Sequence, residues 1–280
     1  MKFRVISDLH VDVNEKYPFE LMDNYDHDKN VITLVAGDVS GNPEIDYKWL
    51  HENTNYKGFL VSGNHIVYNM RMKPIQDLQQ EERDLFAKSD RWTYLEKDYK
   101  VFDDEKIVIF GATLWTDYEV GGPDASWNMM RARRYMNDFR LGRMRDEDGF
   151  VDELTPMWCL NEHKKTLKVL DEVCKKYPDY SIIVLTHHCP GIQSIGSRYR
   201  GSDCNGAYVS DLSNFIENHS NIKVWVCGHV HHPHEYRIGD CHVLSNPRGY
   251  VPYGENKNWD RNTMNFSVYN GIFTHYWIEK

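Results

Sequence analysis

Five short polar motifs stand out, each at the end of an apolar run. Asp8 and His10 follow Phe3–Ser7, and Gly37-Asp38 follows Val31–Ala36. Gly63-Asn64-His65 follows Gly58–Ser62, His187-His188 follows Ser181–Thr186, and Gly228-His229-Val230-His231 follows Val224–Cys227. Carboxylate oxygen, imidazole nitrogen and amide oxygen are ligands for manganese, iron or zinc. Asp8, His10, Asp38, Asn64, His187, His229 and His231 are too many donors for one ion. They suit two ions sharing a bridging carboxylate. Two ions about 3.5–4 Å apart can activate a water and clamp an in-line displacement at phosphorus.

Each motif alone has an ordinary structural reading. Gly-Asp after a strand is usually a turn, and Asp-x-His or Gly-Asn-His is common by chance. Gly-His-x-His is more informative, because paired histidines at a strand end have few structural uses. The force lies in all five occurring together, each at a strand end. His188, His232 and His234 read as polar loop residues.

The elements that position these motifs are legible from periodicity. The runs named above, with Ile107–Gly111, are rich in Val and Ile and predict buried strands. Pro74–Lys88, Trp158–Lys176 and Asp211–Asn218 predict helices. From His234 onward the chain reads as β-rich, with alternation over Cys241–Ser245 and Phe266–Trp277. Strand–helix alternation implies a layered α/β domain. In a mainly parallel sheet the carboxyl ends of the strands share one edge, so the motifs converge there. Asp8 and His10, two apart in an extended chain, point to one side. Glycines before Asp38, Asn64 and His229 let the backbone turn sharply.

The chain has 280 residues, 41% hydrophobic and 27% charged, with a formal net charge of −9. That predicts one large globular domain and disfavours long non-specific contacts with nucleic acid phosphates. The six cysteines form no C-x-x-C pair and read as reduced, mostly buried thiols. Met1–Ser7 is too short, before Asp8, for a signal peptide, and no apolar run approaches the roughly 20 residues of a membrane helix. The expectation is a soluble, cytoplasmic protein with no membrane partner.

Thr116–Leu154 fits this frame least well. Gly121-Gly122-Pro123 precedes a run rich in Arg and Met, between two core strands. It predicts an inserted lid at 116–154 within a single domain spanning 1–280. Six arginines (131, 133, 134, 140, 143 and 145) fall in fifteen residues. One reading is a solvated face balanced by Asp138, Asp146, Glu147 and Asp148. The other has Arg131, Arg133 and Arg134 reaching a substrate phosphate, with Arg198 and Arg200 as rivals. Met129, Met130, Tyr135, Met136 and Phe139 would then anchor the lid.

In order and spacing, the motifs resemble those of the calcineurin-like metallophosphoesterase superfamily over residues 3 to about 250. That resemblance implies a four-layer αββα sandwich of two mixed β-sheets flanked by helices. It implies Asp8, His10, Asp38 and His231 around one metal, with Asp38 bridging, and Asp38, Asn64, His187 and His229 around the other. His187 is preferred to His188 because the family's ligand directly ends its strand. It gives Asp38 and His65 catalytic roles, His65 assisting the leaving oxygen. The expected cofactors are two divalent ions, Mn²⁺ foremost, with Fe, Zn or Ni as alternatives. The expected substrate is a small phosphodiester or phosphomonoester, including nucleotides, attacked by a hydroxide bridging the ions. A DNA nuclease of the same superfamily and a non-catalytic metal-binding scaffold are the rival readings; nucleic acid is not favoured as a partner.

Two departures matter. Ile66 stands where the family often has Asp or Glu after Gly-Asn-His, so any partner that orients His65 must come from elsewhere. Gly37-Asp38-Val39-Ser40-Gly41 lacks the Gly-Asp-x-x-Asp-Arg-Gly signature of protein serine/threonine phosphatases. The tail Ser245-Asn246-Pro247-Arg248-Gly249-Tyr250 looks like that of bacterial and phage members.

Overall fold

The computed structural model describes residues 1–19, 30–69 and 72–275. The described elements, in chain order, are β1 (Lys2–Ile6), β2 (Val31–Val35), α1 (Pro43–Glu52), β3 (Lys57–Leu60), α2 (Ile75–Phe86), β4 (Trp92–Tyr94), β5 (Asp98–Phe102) and β6 (Ile107–Ala112). Then come α3 (Ala125–Tyr135), α4 (Asp138–Leu141), β7 (Arg143–Arg145), β8 (Val151–Glu153), α5 (Pro156–Lys176), β9 (Ser181–Thr186) and α6 (Ser213–Glu217). The chain finishes through β10 (Ile222–Val226), β11 (His234–Ile238), β12 (Cys241–Ser245), β13 (Asn265–Tyr269) and β14 (Ile272–His275).

Two six-stranded sheets form, in the orders β14-β13-β1-β2-β3-β4 and β11-β12-β10-β9-β6-β5. Both are mixed: β1 to β4 run parallel, as do β6, β9, β10 and β12, while β13, β14, β5 and β11 join antiparallel at the edges. Strand alternation explains the layers. Ile107 and Ile109 face the first sheet and meet Phe3, Val5, Ile32 and Leu34, whereas Val108 and Phe110 face Leu170 and Val173 of α5. Ile6, Val35 and Leu60 turn the other way, onto Leu50 of α1 and Phe86 of α2. The central strands are apolar on both faces because both faces are covered. The result is the αββα sandwich.

All six predicted strands and all three predicted helices form, with small shifts at their ends. The β-rich stretch expected over Phe266–Trp277 forms a hairpin. Asn270 (φ 49°) and Gly271 (φ 76°) make a two-residue turn between β13 and β14, a conformation Asn-Gly favours. Trp277 lies outside the described residues. Helix α1 was not anticipated, although Asn42 caps it by accepting from Glu44 N–H and Pro43 opens it.

Segment 116–154 carries α3, α4 and the β7–β8 hairpin. It packs through Tyr118, Ala132, Met136, Phe139 and Leu154 against Ile66, Ile75, Leu78 and Cys159. Of the expected anchors, Met130 (54% exposed) and Tyr135 (53%) stand out in solvent.

Candidate metal centre

The seven expected donors converge at the carboxyl ends of β1, β2, β3, β9 and β10, and six of them are buried. His231, half-buried, borders the open cleft. Oδ2 of Asp38 lies 3.3 Å from Nε2 of His187 and 3.9 Å from Nε2 of His10. On one side, Nε2 of His10 and Nε2 of His231 face each other at 2.9 Å, with Oδ1 of Asp8 3.4 Å from His231. On the other side, Nε2 of His187 lies 2.9 Å from Oδ1 of Asn64 and 3.1 Å from Nδ1 of His229. One carboxylate oxygen therefore faces both halves.

These edges fit a divalent metal. Ligands at about 2.1 Å from an ion and at right angles are about 3 Å apart. Ring nitrogens aimed at each other without an intervening cation require a proton between them. His187 is drawn up to about 9: burial works against its charge, but Asp38 outweighs burial. His231 is drawn up to about 10, burial again being outweighed, here by Asp8 and Glu255. His10 is held well below its ordinary value by burial and by the charge of His65, and His229 by burial and its neighbouring imidazoles. A cluster that must hold protons to stay together is one whose protons a metal can replace.

The backbone is bent to build this cluster. Asp8 (φ 52°), His10 (φ 45°), Asp38 (φ 54°), His229 (φ 66°) and His231 (φ 47°) are all left-handed. Each costs on the order of 1–2 kcal/mol, and such positions gather at functional sites. Asp8 and His10 thus share a direction through paired left-handed turns, not through the extended alternation expected. The glycines also divide by cause. Gly37 has φ 85° and needs its freedom. Gly63 and Gly228 are required for space: a Cβ on Gly63 would meet Asp38 Oδ1, and one on Gly228 would lie 2.6 Å from Asp8 Oδ2.

Supporting hydrogen bonds orient the donors. His187 Nδ1 sits 2.9 Å from Ala36 O and His231 Nδ1 2.7 Å from Glu255 Oε2, so in each ring Nε2 is left for the centre. His229 N–H donates to Asp8 Oδ1 at 2.9 Å, and His65 N–H donates to Asp38 Oδ1 at 3.1 Å. Glu255 was not anticipated; no spacing rule connects it to His231. His234, expected in a loop, instead opens β11, whereas His188 does lie outside the strands, just past β9. His188 is buried, with Nδ1 3.2 Å from Thr113 O, and is pushed down to about 3 by burial and then by His187.

His65 lies beside the centre, its Nε2 3.9 Å from Asp38 Oδ2. In place of the carboxylate missing at position 66, the Tyr250 hydroxyl sits 2.8 Å from His65 Nε2, and the Tyr68 ring stacks on the imidazole at 3.9 Å. Tyr68 in turn donates to Oδ2 of buried Asp138, from α4, at 3.2 Å.

The centre opens into a cleft of about 390 Å³ walled by Tyr68, Tyr135, Tyr199, Tyr208, Tyr250 and Asn205 among others. Among the described residues lining it, none is Lys or Arg. As the solvated-face reading has it, Arg131 pairs with Asp203 at 2.7 Å and Arg133 with Glu153 at 3.4 Å, while Arg134 lies over Tyr135, 5.6 Å from the ring centroid. Arg198 and Arg200 are exposed, although the charge of Arg198 is felt at Glu255. Tyrosine, with an apolar body and a polar tip, was not singled out because single tyrosines carry no spacing signal.

The model of the calcineurin-like phosphoesterase family matches residues 1–233, and the chain belongs to that family. No curated protein sequence matches the chain. Among solved structures, the phosphopantetheinyl hydrolase (PptH) from Mycobacterium tuberculosis shares the fold, with a TM-score of 0.68 and 16% identity over 98% of this chain and 95% of that one. A protein described as a 5′-nucleotidase from Staphylococcus aureus, solved in complex with alpha-ketoglutarate, aligns with a TM-score of 0.45 and 13% identity over 99% of this chain and 52% of that one. No helix among the described residues is long and apolar enough to cross a membrane.

Proposed function

We propose that this protein is a two-metal-dependent phosphoesterase that hydrolyses a small phosphodiester. The observation that carries the reading is the placement of one oxygen, Asp38 Oδ2, between two donor sets. Asp8, His10 and His231 with Asp38 would hold one divalent ion; Asn64, His187 and His229 with Asp38 would hold the other. Bound there, the ions supply Lewis-acid polarisation of the phosphoryl group and a water activated at neutral pH. Mn²⁺ is the expected ion on the carboxylate and amide oxygens, with Fe, Zn and Ni as the alternatives that imidazole suits.

The protein's own groups do the rest. His65 Nε2 holds the proton that the leaving oxygen takes up. Tyr250 keeps that nitrogen turned to the cleft, and its hydroxyl stays protonated because burial and Asp38 raise its pKa. Segment 116–154 supplies one wall through Tyr135, Met136 and Asn137. A diester is favoured over a monoester or polyphosphate because a single negative charge needs no cationic side chain, and none of the described residues lining the cleft is Lys or Arg. The formal net charge of −9 argues against a DNA nuclease, which needs basic tracks for the backbone. The retained donors, left-handed at five positions, argue against a scaffold that has lost its chemistry.

The test is to strip the protein with chelator, restore Mn²⁺, and assay a generic aryl phosphodiester against its monoester. Turnover restored by metal, with the diester preferred, supports the reading. Two bound ions with no hydrolysis of either ester would overturn it.

A further inference from the structure

Behind the centre, on the far side of the strand ends, lies a second group of soft donors that the proposed function does not use. Cys189 is two residues past His187, Cys227 is two residues before His229, and His234 opens β11. Both thiols are fully buried, and the two sulfurs and an imidazole nitrogen lie within 4.8 Å of one another. The geometry points to a separate zinc site formed by Cys189 Sγ, Cys227 Sγ and His234 Nε2, with a hydroxyl or water completing the shell.

Three features carry this. The Cys227 Sγ to His234 Nε2 distance is 3.6 Å. Tetrahedral zinc with Zn–S of about 2.3 Å and Zn–N of about 2.0–2.1 Å puts those ligands about 3.6 Å apart. Second, His234 Nδ1 sits 2.8 Å from His232 O, which fixes its proton there and leaves Nε2 bare toward the thiols. Third, a hydroxyl is already in place: Ser194 Oγ lies 3.1 Å from His234 Nε2 and 2.9 Å from the Tyr236 hydroxyl. The donors come from separate, well-packed elements, so little ordering is needed on binding. Thiolate and imidazole select zinc over the harder ions suited to the carboxylate-containing centre. Binding is balanced by release of the two thiol protons to solvent.

Such an ion would tie the turn carrying His187 to the turn carrying His229 from behind. Without it the same groups form a hydrogen-bonded network in which Cys189 Sγ donates to Gly228 O at 3.1 Å. The two states are separable by spectroscopy. Reduced protein is stripped with chelator, its fold checked by circular dichroism, and titrated anaerobically with Co²⁺. Thiolate ligation gives a sulfur-to-cobalt charge-transfer band in the near ultraviolet, which oxygen and nitrogen donors cannot give. The expected result is such a band with strong tetrahedral visible absorption, accounting for one equivalent of cobalt beyond those held elsewhere. The band should vanish in Cys189→Ser/Cys227→Ser. His234→Ala, which leaves both buried thiols in place, should weaken cobalt affinity at this site at least tenfold. No band at any cobalt excess in folded wild type would overturn the proposal. So would a band that survives the double serine variant, since another thiol would then be its source. Hydrolytic activity enters neither readout, so failure here leaves the proposed phosphoesterase reading untouched.

Discussion

The Tyr250 hydroxyl lies 2.8 Å from Nε2 of His65, although 185 residues separate the two in sequence. A phenol therefore stands where a carboxylate would be expected to steady this histidine. The two differ in charge, the carboxylate being an anion and the phenol neutral. Tyr250→Phe should retain both metal equivalents and lower kcat about tenfold, with the larger loss on substrates that have poor leaving groups. His65→Ala should lose about 10²–10⁴-fold on the same substrates. Kinetics across a leaving-group series check this. An equal loss for good and poor leaving groups in both variants would deny His65 the role of proton donor.

Asp38 is placed between the two donor sets, 3.3 Å from His187 Nε2 and 3.9 Å from His10 Nε2. Burial works against its charge, yet His187 and His65 hold its pKa well below the usual carboxylate range. Asp38→Asn removes the shared negative charge and leaves two cations to repel each other across a neutral amide. At least one metal equivalent should be lost, along with activity. Metal content by mass spectrometry decides it: two ions per chain in the variant with normal turnover would show that Asp38 is not a bridge.

A different pair of acids sets the expected pH dependence of stability. Glu82 of α2 and Asp46 of α1 are buried together beneath the centre, each bonded to a serine, Ser62 and Ser40. Burial raises both, Glu82 from its ordinary 4.5 to about 7. Between about pH 4.5 and 7 the unfolded chain gives up the Glu82 proton while the folded chain keeps it. Stability from this group is therefore complete below that window and falls as pH rises through it. The loss is on the order of 1–3 kcal/mol. Glu82→Gln should flatten the fall of Tm between pH 5 and 8 and raise Tm at pH 8. Thermal melts across that range would refute the assignment if the slope were unchanged.

The strand ends and their donors were legible because two signals coincide: apolar runs set the strands, and ligand chemistry marks where they stop. The His187 ring reaches Asn64 and Asp38, whereas His188 Nδ1 turns to Thr113 O. What failed was anything set by contact across the fold. Tyr250 and Glu255 reach the centre from a turn after β12, and no local pattern announces them. The edge strand β4 is short, and β5 has no buried residue, so neither has the apolar run that reveals buried strands. The arginine cluster left two readings open, a solvated face and a phosphate contact, because local density does not reveal partners. Asp203, Asp77 and Glu153, the first two distant in sequence, pair with Arg131, Arg145 and Arg133.

Those pairings lead to the remaining prediction, which sets the arginines against the tyrosines as substrate contacts. Segment 116–154 reaches the cleft through Tyr135, Met136 and Asn137, while Arg131 and Arg133 pair with carboxylates and Arg134 lies over Tyr135. Surface ion pairs are worth about 0–1 kcal/mol, so replacing them should cost little stability. The triple variant Arg131→Ala/Arg133→Ala/Arg134→Ala should keep its metals, melt within a few degrees of wild type and keep KM within about twofold. Tyr199→Ala and Tyr208→Ala remove aromatic walls that a planar leaving group would stack on. Each should raise KM for an aryl or nucleotide diester by about 3–10-fold, at roughly 1 kcal/mol per aromatic contact, and much less for a dialkyl ester. Steady-state kinetics on the two ester classes check the contrast. A large KM increase in the arginine variant, with none in the tyrosine variants, would move substrate recognition from the cleft wall to the arginine face.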